Sequence, residues 1–148
     1  MRKKYRYLLF AAVVFLIAAQ FVRPDRTNPP INPATTFEAV ANPAPELAAM
    51  LHRTCYDCHS SGTIWPWYSR IAPASWLVAD DVKEGRAHLN FSEWGLLSPE
   101  MAHDKLQAAC REVKAGDMPL WQYRLIHWNS TPTGQEIAAL CAAAEKVK

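Results

Sequence analysis

The sequence predicts an all-α domain behind an N-terminal membrane helix. Three observations carry that expectation. In four separate segments after residue 44, apolar residues recur three and four positions apart, the spacing of one helix face. No segment alternates convincingly with the period of two that a half-buried strand shows. The first 22 residues join a basic cluster to a long apolar run.

The chain has 148 residues, enough for one domain, and half of them are apolar, so a substantial core can form. No internal repeat is visible. The formal charge of +2 is unevenly spread, because Arg2, Lys3, Lys4 and Arg6 all precede the apolar run. Without those four, 12 basic residues face 14 acidic ones. Nucleic-acid binding needs a basic patch, and this chain has none, so that class is set aside.

Residues 1–22 read as a signal-anchor or transmembrane segment. The run Leu8 to Val22 is interrupted only by Gln20. It falls between a signal-peptide core of roughly 15 residues and a spanning helix of ~20. Bulky Ile17 and Phe21 flank the only plausible cleavage position, after Ala19, so the reading adopted is a retained anchor, with a cleaved signal as the alternative. With the positive flank inside, the rest of the chain faces outward. Residues 23–44 hold five of the 11 prolines and read as a semi-rigid extended tether, with Phe37 to Val40 as a stretch that can pin to the domain.

Residues 45–148 make up the domain. The first helical segment, 45–59, opens on Pro45 and carries Leu47, Met50, Leu51 and Thr54 on one face. The second, 75–88, has Ser75 as cap and Gly85 near its end. The third has Ser98 as cap, Pro99 in the first turn and Gly116 at the stop; its apolar face is Leu106, Ala109, Cys110 and Val113. The fourth starts with Thr133 and Glu136 in capping-box spacing and carries Ile137, Leu140, Cys141 and Ala144. Long loops are expected at 60–74 and 117–132.

The first segment ends in "CYDCH" at residues 55–59. Cys-X-X-Cys-His is the attachment pattern of haem c. Each thiol adds across a haem vinyl group as a thioether, and the adjacent imidazole ligates the iron. Chance explains it poorly: the chain's Cys and His content gives roughly 0.004 accidental matches. A zinc site would need a second ligand pair, and no Cys-X-X-Cys or His-X3-His follows. A dithiol redox pair would sit in a strand–helix fold, which the pattern lacks. Cys55, Cys58 and His59 are thus the predicted haem attachment and proximal ligand.

The opposite side of the iron needs a soft or imidazole ligand. Met118 in "GDMPLWQY" follows a helix stop and is the preferred candidate, with Leu120 and Trp121 closing the pocket edge. Met101, His52, His88, His103 and His127 are the others. His52 shares a helix with His59 and reaches the far face poorly.

The stretch "CYDCHSSGTIWPWYSRIAPASWLVADDVKEGRAHLNFSEW" at 55–94, with "EVKAGDMPLWQY" at 112–123, resembles the haem-binding domain family of small exported cytochrome-c-like proteins. The resemblance implies a cytochrome-c-like helical fold, one covalent haem c per chain and no dedicated enzyme activity. It puts the thioethers at Cys55 and Cys58 and proximal ligation at His59, and it suggests distal ligation at Met118. The C-terminal part, including Cys141, departs from the family pattern.

Trp65, Trp67, Tyr68 and Trp76 are candidates to wall the haem and exclude water, and Arg70 to pair with a propionate through its planar fork. The alternative is that they are ordinary core and surface residues. Cys110 and Cys141 are either a disulfide between the last two helices or two separately buried thiols.

The expected function is a membrane-tethered monohaem c-type cytochrome that passes single electrons to and from redox partner proteins the sequence does not identify. It would be anchored at a bacterial inner membrane with its domain in the periplasm, or secreted there if the leader is cleaved. The alternative is a haem enzyme or sensor with an open or displaceable sixth ligand.

Overall fold

Two antiparallel-capable amphipathic helices form the base of the domain. In the computed structural model, which describes residues 2–147, these are α6 (Pro99–Ala115) and α8 (Gly134–Lys146), numbered in chain order after α1 (Arg2–Ala19), α2 (Phe37–Ala41), α3 (Pro45–Thr54), α4 (Tyr56–His59) and α5 (Ala74–His88). The short α7 (Trp121–Ile126) lies between them, and 3-10 turns occur at Pro33–Thr35, Trp67–Arg70 and Phe91–Leu96. The described residues contain no strand, so the domain is all-α.

The termini of α6 and α8 follow from their residues. Ser98 accepts a hydrogen bond from the Met101 amide, and Gly116 closes α6 in the left-handed region at φ 82°. Thr133 and Glu136 form a reciprocal capping box at the start of α8. Leu106, Cys110 and Val113 of α6 are buried against Leu140, Cys141 and Ala144 of α8, together with Leu47, Met50 and Leu51 of α3. These are the apolar faces that the helical spacing marks. Arg53 of α3 pairs with Glu136 at 2.5 Å and ties α3 to α8.

Cys110 and Cys141 are joined in a disulfide, with Cα atoms 5.1 Å apart and a sequence separation of 31. A loop of that length is worth about 3–4 kcal/mol in the chain-entropy picture. Replacing both by alanine is therefore expected to lower the thermal midpoint clearly, and a thiol reductant should have nearly the same effect on the unchanged protein. Equal midpoints with and without reductant would show that the bond contributes nothing.

Beside this base lies an aromatic core that the helical pattern does not reveal. Phe37 of α2 is 1% exposed. Its ring meets Trp94 edge-on at 4.9 Å and Phe91 at 5.4 Å. Phe91 in turn stacks on Tyr56 at 4.9 Å. Thr36 caps α2 through the Ala39 amide, and Asn42 ends it at φ 43°.

The N-terminal membrane helix is corrected. No helix among the described residues is long and apolar enough to cross a membrane. The reason lies at both ends of α1. The helix includes the basic residues at its start and stops at Ala19. Only Tyr7 to Ala19 is uncharged, ~20 Å at 1.5 Å per residue against a hydrocarbon core of ~30 Å. Gln20 then turns onto the domain: its amide nitrogen donates to the Ala72 carbonyl at 3.1 Å, and its oxygen accepts from the Ala72 amide at 3.0 Å. Trp76 Nε1 donates to the Val22 carbonyl at 2.8 Å.

The proline-rich segment that follows lies on the domain. Arg26 donates to the Ser69 carbonyl at 2.9 Å and Asn28 to the Thr63 carbonyl at 2.9 Å. Its prolines keep it out of regular helix until Pro33, and its end supplies Phe37 to the core.

Candidate haem site

The expected continuous helix over 45–59 breaks at Cys55, whose φ of −122° lies outside the helical range. The chain restarts as the single turn α4, so Cys55, Cys58 and His59 stand on one tight turn at the end of α3. Thr54 steadies it: its hydroxyl donates to the Met50 carbonyl at 2.7 Å and lies 3.1 Å from Cys55 Sγ. Tyr56 anchors the outer side, donating to Glu38 Oε1 at 2.5 Å.

Helix α5 packs directly behind this turn. A Cβ at Gly85 would lie 2.6 Å from the Cys58 carbonyl oxygen, so only glycine allows this approach. The same contact fixes His59. Its Nδ1 is 2.8 Å from the Gly85 carbonyl oxygen and 3.1 Å from that of Leu89. Both partners only accept, so Nδ1 carries the proton and donates. Gly85 lies in the last turn of α5 and Leu89 caps its end; the Gly85 carbonyl also accepts from the Leu89 amide at 2.9 Å. Nε2 has no hydrogen-bond partner among the described residues and keeps its lone pair. Burial holds the imidazole below the usual histidine range, which favours the neutral ring.

The two thiols are unpaired and half-buried. Burial pushes Cys55 up to about 11, and burial with Asp81 and Asp57 nearby pushes Cys58 up to about 12. Both are therefore protonated at neutral pH, whereas a dithiol redox pair depends on a lowered thiol pKa. No group of three or more His, Cys, Asp and Glu among the described residues is placed to hold a bare metal ion.

Met118 follows the α6 cap. The carbonyl of Glu112 accepts from the Asp117 amide at 3.0 Å and from the Met118 amide at 3.3 Å, and the side chain is half-buried against the main core. Leu120 is half-buried and Trp121 exposed. The aromatics of 65–76 do not form a closed protein core. Trp67 is 74% exposed, Trp65 and Tyr68 are half-buried, and Arg70 is exposed. The indole N–H groups of Trp65 and Trp76 are already taken, by Asn28 Oδ1 and the Val22 carbonyl. Of the other candidate ligands, Met101, His52 and His88 are exposed, and His103 Nδ1 is bound to the Val147 carbonyl. His127 lies beside the site: its Nε2 is 2.8 Å from Tyr68 Oη, and its ring stacks at 4.1 Å on Tyr123, which donates to Asp57 at 2.8 Å.

The Haem-binding domain family matches residues 14–146, nearly the whole chain. The chain belongs to the haem-binding domain family. Neither curated proteins nor solved structures yield a match. This haem-binding domain binds haem, and the donor set fits that group: two protonated thiols on the turn and an imidazole with a free Nε2.

Several residues at the site lie beyond the reach of sequence reasoning. Leu89 and Asn28 give no signal of their own, since one serves through its carbonyl and the other through a long-range contact. Gly85 does give one, because a glycine inside a helical pattern points to a close approach. It lies within α5, which runs on to His88.

Proposed function

We propose that this haem-binding domain is a monohaem c-type cytochrome that carries single electrons. The observation that supports it most is the turn Cys55–His59 itself. Both thiols are held protonated, and the imidazole is oriented through Nδ1 with Nε2 left for iron. Cys55 and Cys58 would hold the ring by thioethers, and His59 and Met118 would ligate the iron. The bound haem supplies a one-electron ferric–ferrous couple. The chain's residues would keep the ligands fixed between the two states: α5 pins His59 and the α6 cap pins the Met118 backbone. The electron would come from a one-electron donor protein and go to an acceptor protein.

We also propose that the domain works outside the cytoplasm, in a bacterial periplasm. Haem c is attached there, and a disulfide such as Cys110–Cys141 persists there.

The test is a pyridine haemochrome spectrum together with haem staining on a denaturing gel. A c-type band and a stain that migrates with the chain are the expected results; a colourless chain on the gel would sink covalent attachment. Met118→Ala examines the sixth ligand. It should leave the stain in place, remove the near-infrared band of thioether ligation and let carbon monoxide bind rapidly. An unchanged low-spin spectrum would make Met118 a packing residue.

A further inference from the structure

Arg86 follows Gly85 on α5, and its guanidinium is half-buried against the strand of chain that leaves the motif. Nε donates to the carbonyl of Ser60, the residue after His59, at 2.8 Å. One terminal nitrogen donates to the Thr27 carbonyl at 3.2 Å. The other donates to Asn28 Oδ1 and to Thr63 Oγ1, each at 2.8 Å. Every one of these acceptors is neutral, and Arg86 makes no ion pair among the described residues. Asp25 and Glu93 act on it only through space.

Such an arrangement is uncommon for a half-buried charge, which normally finds a carboxylate. Here neutral acceptors hold the charge in place without cancelling it. Asn28 completes the lock, since Oδ1 also accepts from Trp65 Nε1 at 3.1 Å and Nδ2 donates to the Thr63 carbonyl. The proline-rich segment therefore helps to position the loop behind the haem motif.

We propose that Arg86 is a positioning residue for the haem: it fixes the end of the Cys55–His59 turn and sets a fixed positive charge beside it that favours the reduced iron. The proposal rests on the haem c reading above. A nearby positive charge opposes the more positive ferric state, and burial limits the screening of that opposition by salt.

The experiment is a redox titration of the full-length holoprotein, with haem staining as a separate readout. Arg86→Gln should keep the stain and shift the reduction equilibrium about tenfold toward the oxidised form, ~59 mV for one electron. Arg86→Lys keeps the charge and should stay within about threefold of the unchanged protein. The difference between the two should persist in high salt. A stained Arg86→Gln protein with an unchanged potential overturns the proposal. So does an Arg86→Lys shift as large as that of Arg86→Gln. If Arg86→Gln does not accumulate, Asn28→Asp decides: it sets a carboxylate against the guanidinium, and the potential should fall. An unchanged potential there also overturns it. Absence of stain from the unchanged protein is a different result, the failure of the haem c reading.

Discussion

Cys55→Ala combined with Cys58→Ala is expected to abolish haem staining on a denaturing gel. Each thioether needs the S–H of one thiol, so no covalent link survives the loss of both. Either single change leaves one thioether and should give a weaker stain that still migrates with the chain. The double variant should still fold. Both residues are half-buried on the turn, and His59 keeps its carbonyl partners Gly85 and Leu89. Loss of stain with unchanged helical circular dichroism therefore reports the attachment chemistry. The thiol state offers an independent check. In the haem-free protein both thiols are pushed above their usual range, Cys58 the further, so at pH 7 they should alkylate more slowly than an unfolded control. Faster alkylation would point to an activated dithiol, and a stain persisting in the double variant would sink the assignment of these cysteines.

The parts of this molecule that were legible in the sequence are those set by local chemistry. The Ser98–Pro99 start and Gly116 stop of α6, the Thr133–Glu136 box of α8 and the apolar faces between them all follow from interactions within one helix. The Cys-X-X-Cys-His spacing is equally local. What escaped depends on contacts distant in sequence. Phe37 to Val40 read as a stretch of the tether that can pin to the domain, but nothing local shows what receives Phe37: Phe91 and Trp94 provide its pocket some 54 to 57 residues on. The helix break at Cys55 is set by tertiary packing, since nothing in "HRTCYDCH" opposes continuation. The leader reads as a spanning segment because a count of apolar residues ignores where the helix begins and ends. Arg70 stands next to the aromatics in sequence, whereas the arginine that hydrogen-bonds the loop after the motif is Arg86 of α5.

Gly85→Ala is expected to destabilise the domain and to cut the yield of haem-loaded protein severalfold. Helix propensity alone predicts the opposite sign, because alanine in a helix interior is favoured over glycine by about 0.5–1 kcal/mol. The contact decides the balance. The added Cβ would meet the Cys58 carbonyl oxygen at 2.6 Å, its carbonyl carbon at 3.0 Å and its Cβ at 3.1 Å. Two of those atoms are backbone, so a rotamer change cannot relieve the overlap. Forcing a methyl group into such a contact costs about 1–3 kcal/mol, which exceeds the propensity gain. The relief available is to move α5 away from α4, and that movement stretches the bonds from His59 Nδ1 to Gly85 and Leu89. The imidazole then loses the orientation that the proposed ligation through Nε2 requires, so stability and loading should fall together. Gly134→Ala is the matched control: it lies in the first turn of α8, and nothing stands within 4 Å of the added Cβ. Its thermal midpoint should hold or rise, with full haem content. A Gly85→Ala protein that matches this control in both midpoint and haem content would show that the close approach of α5 does not position His59.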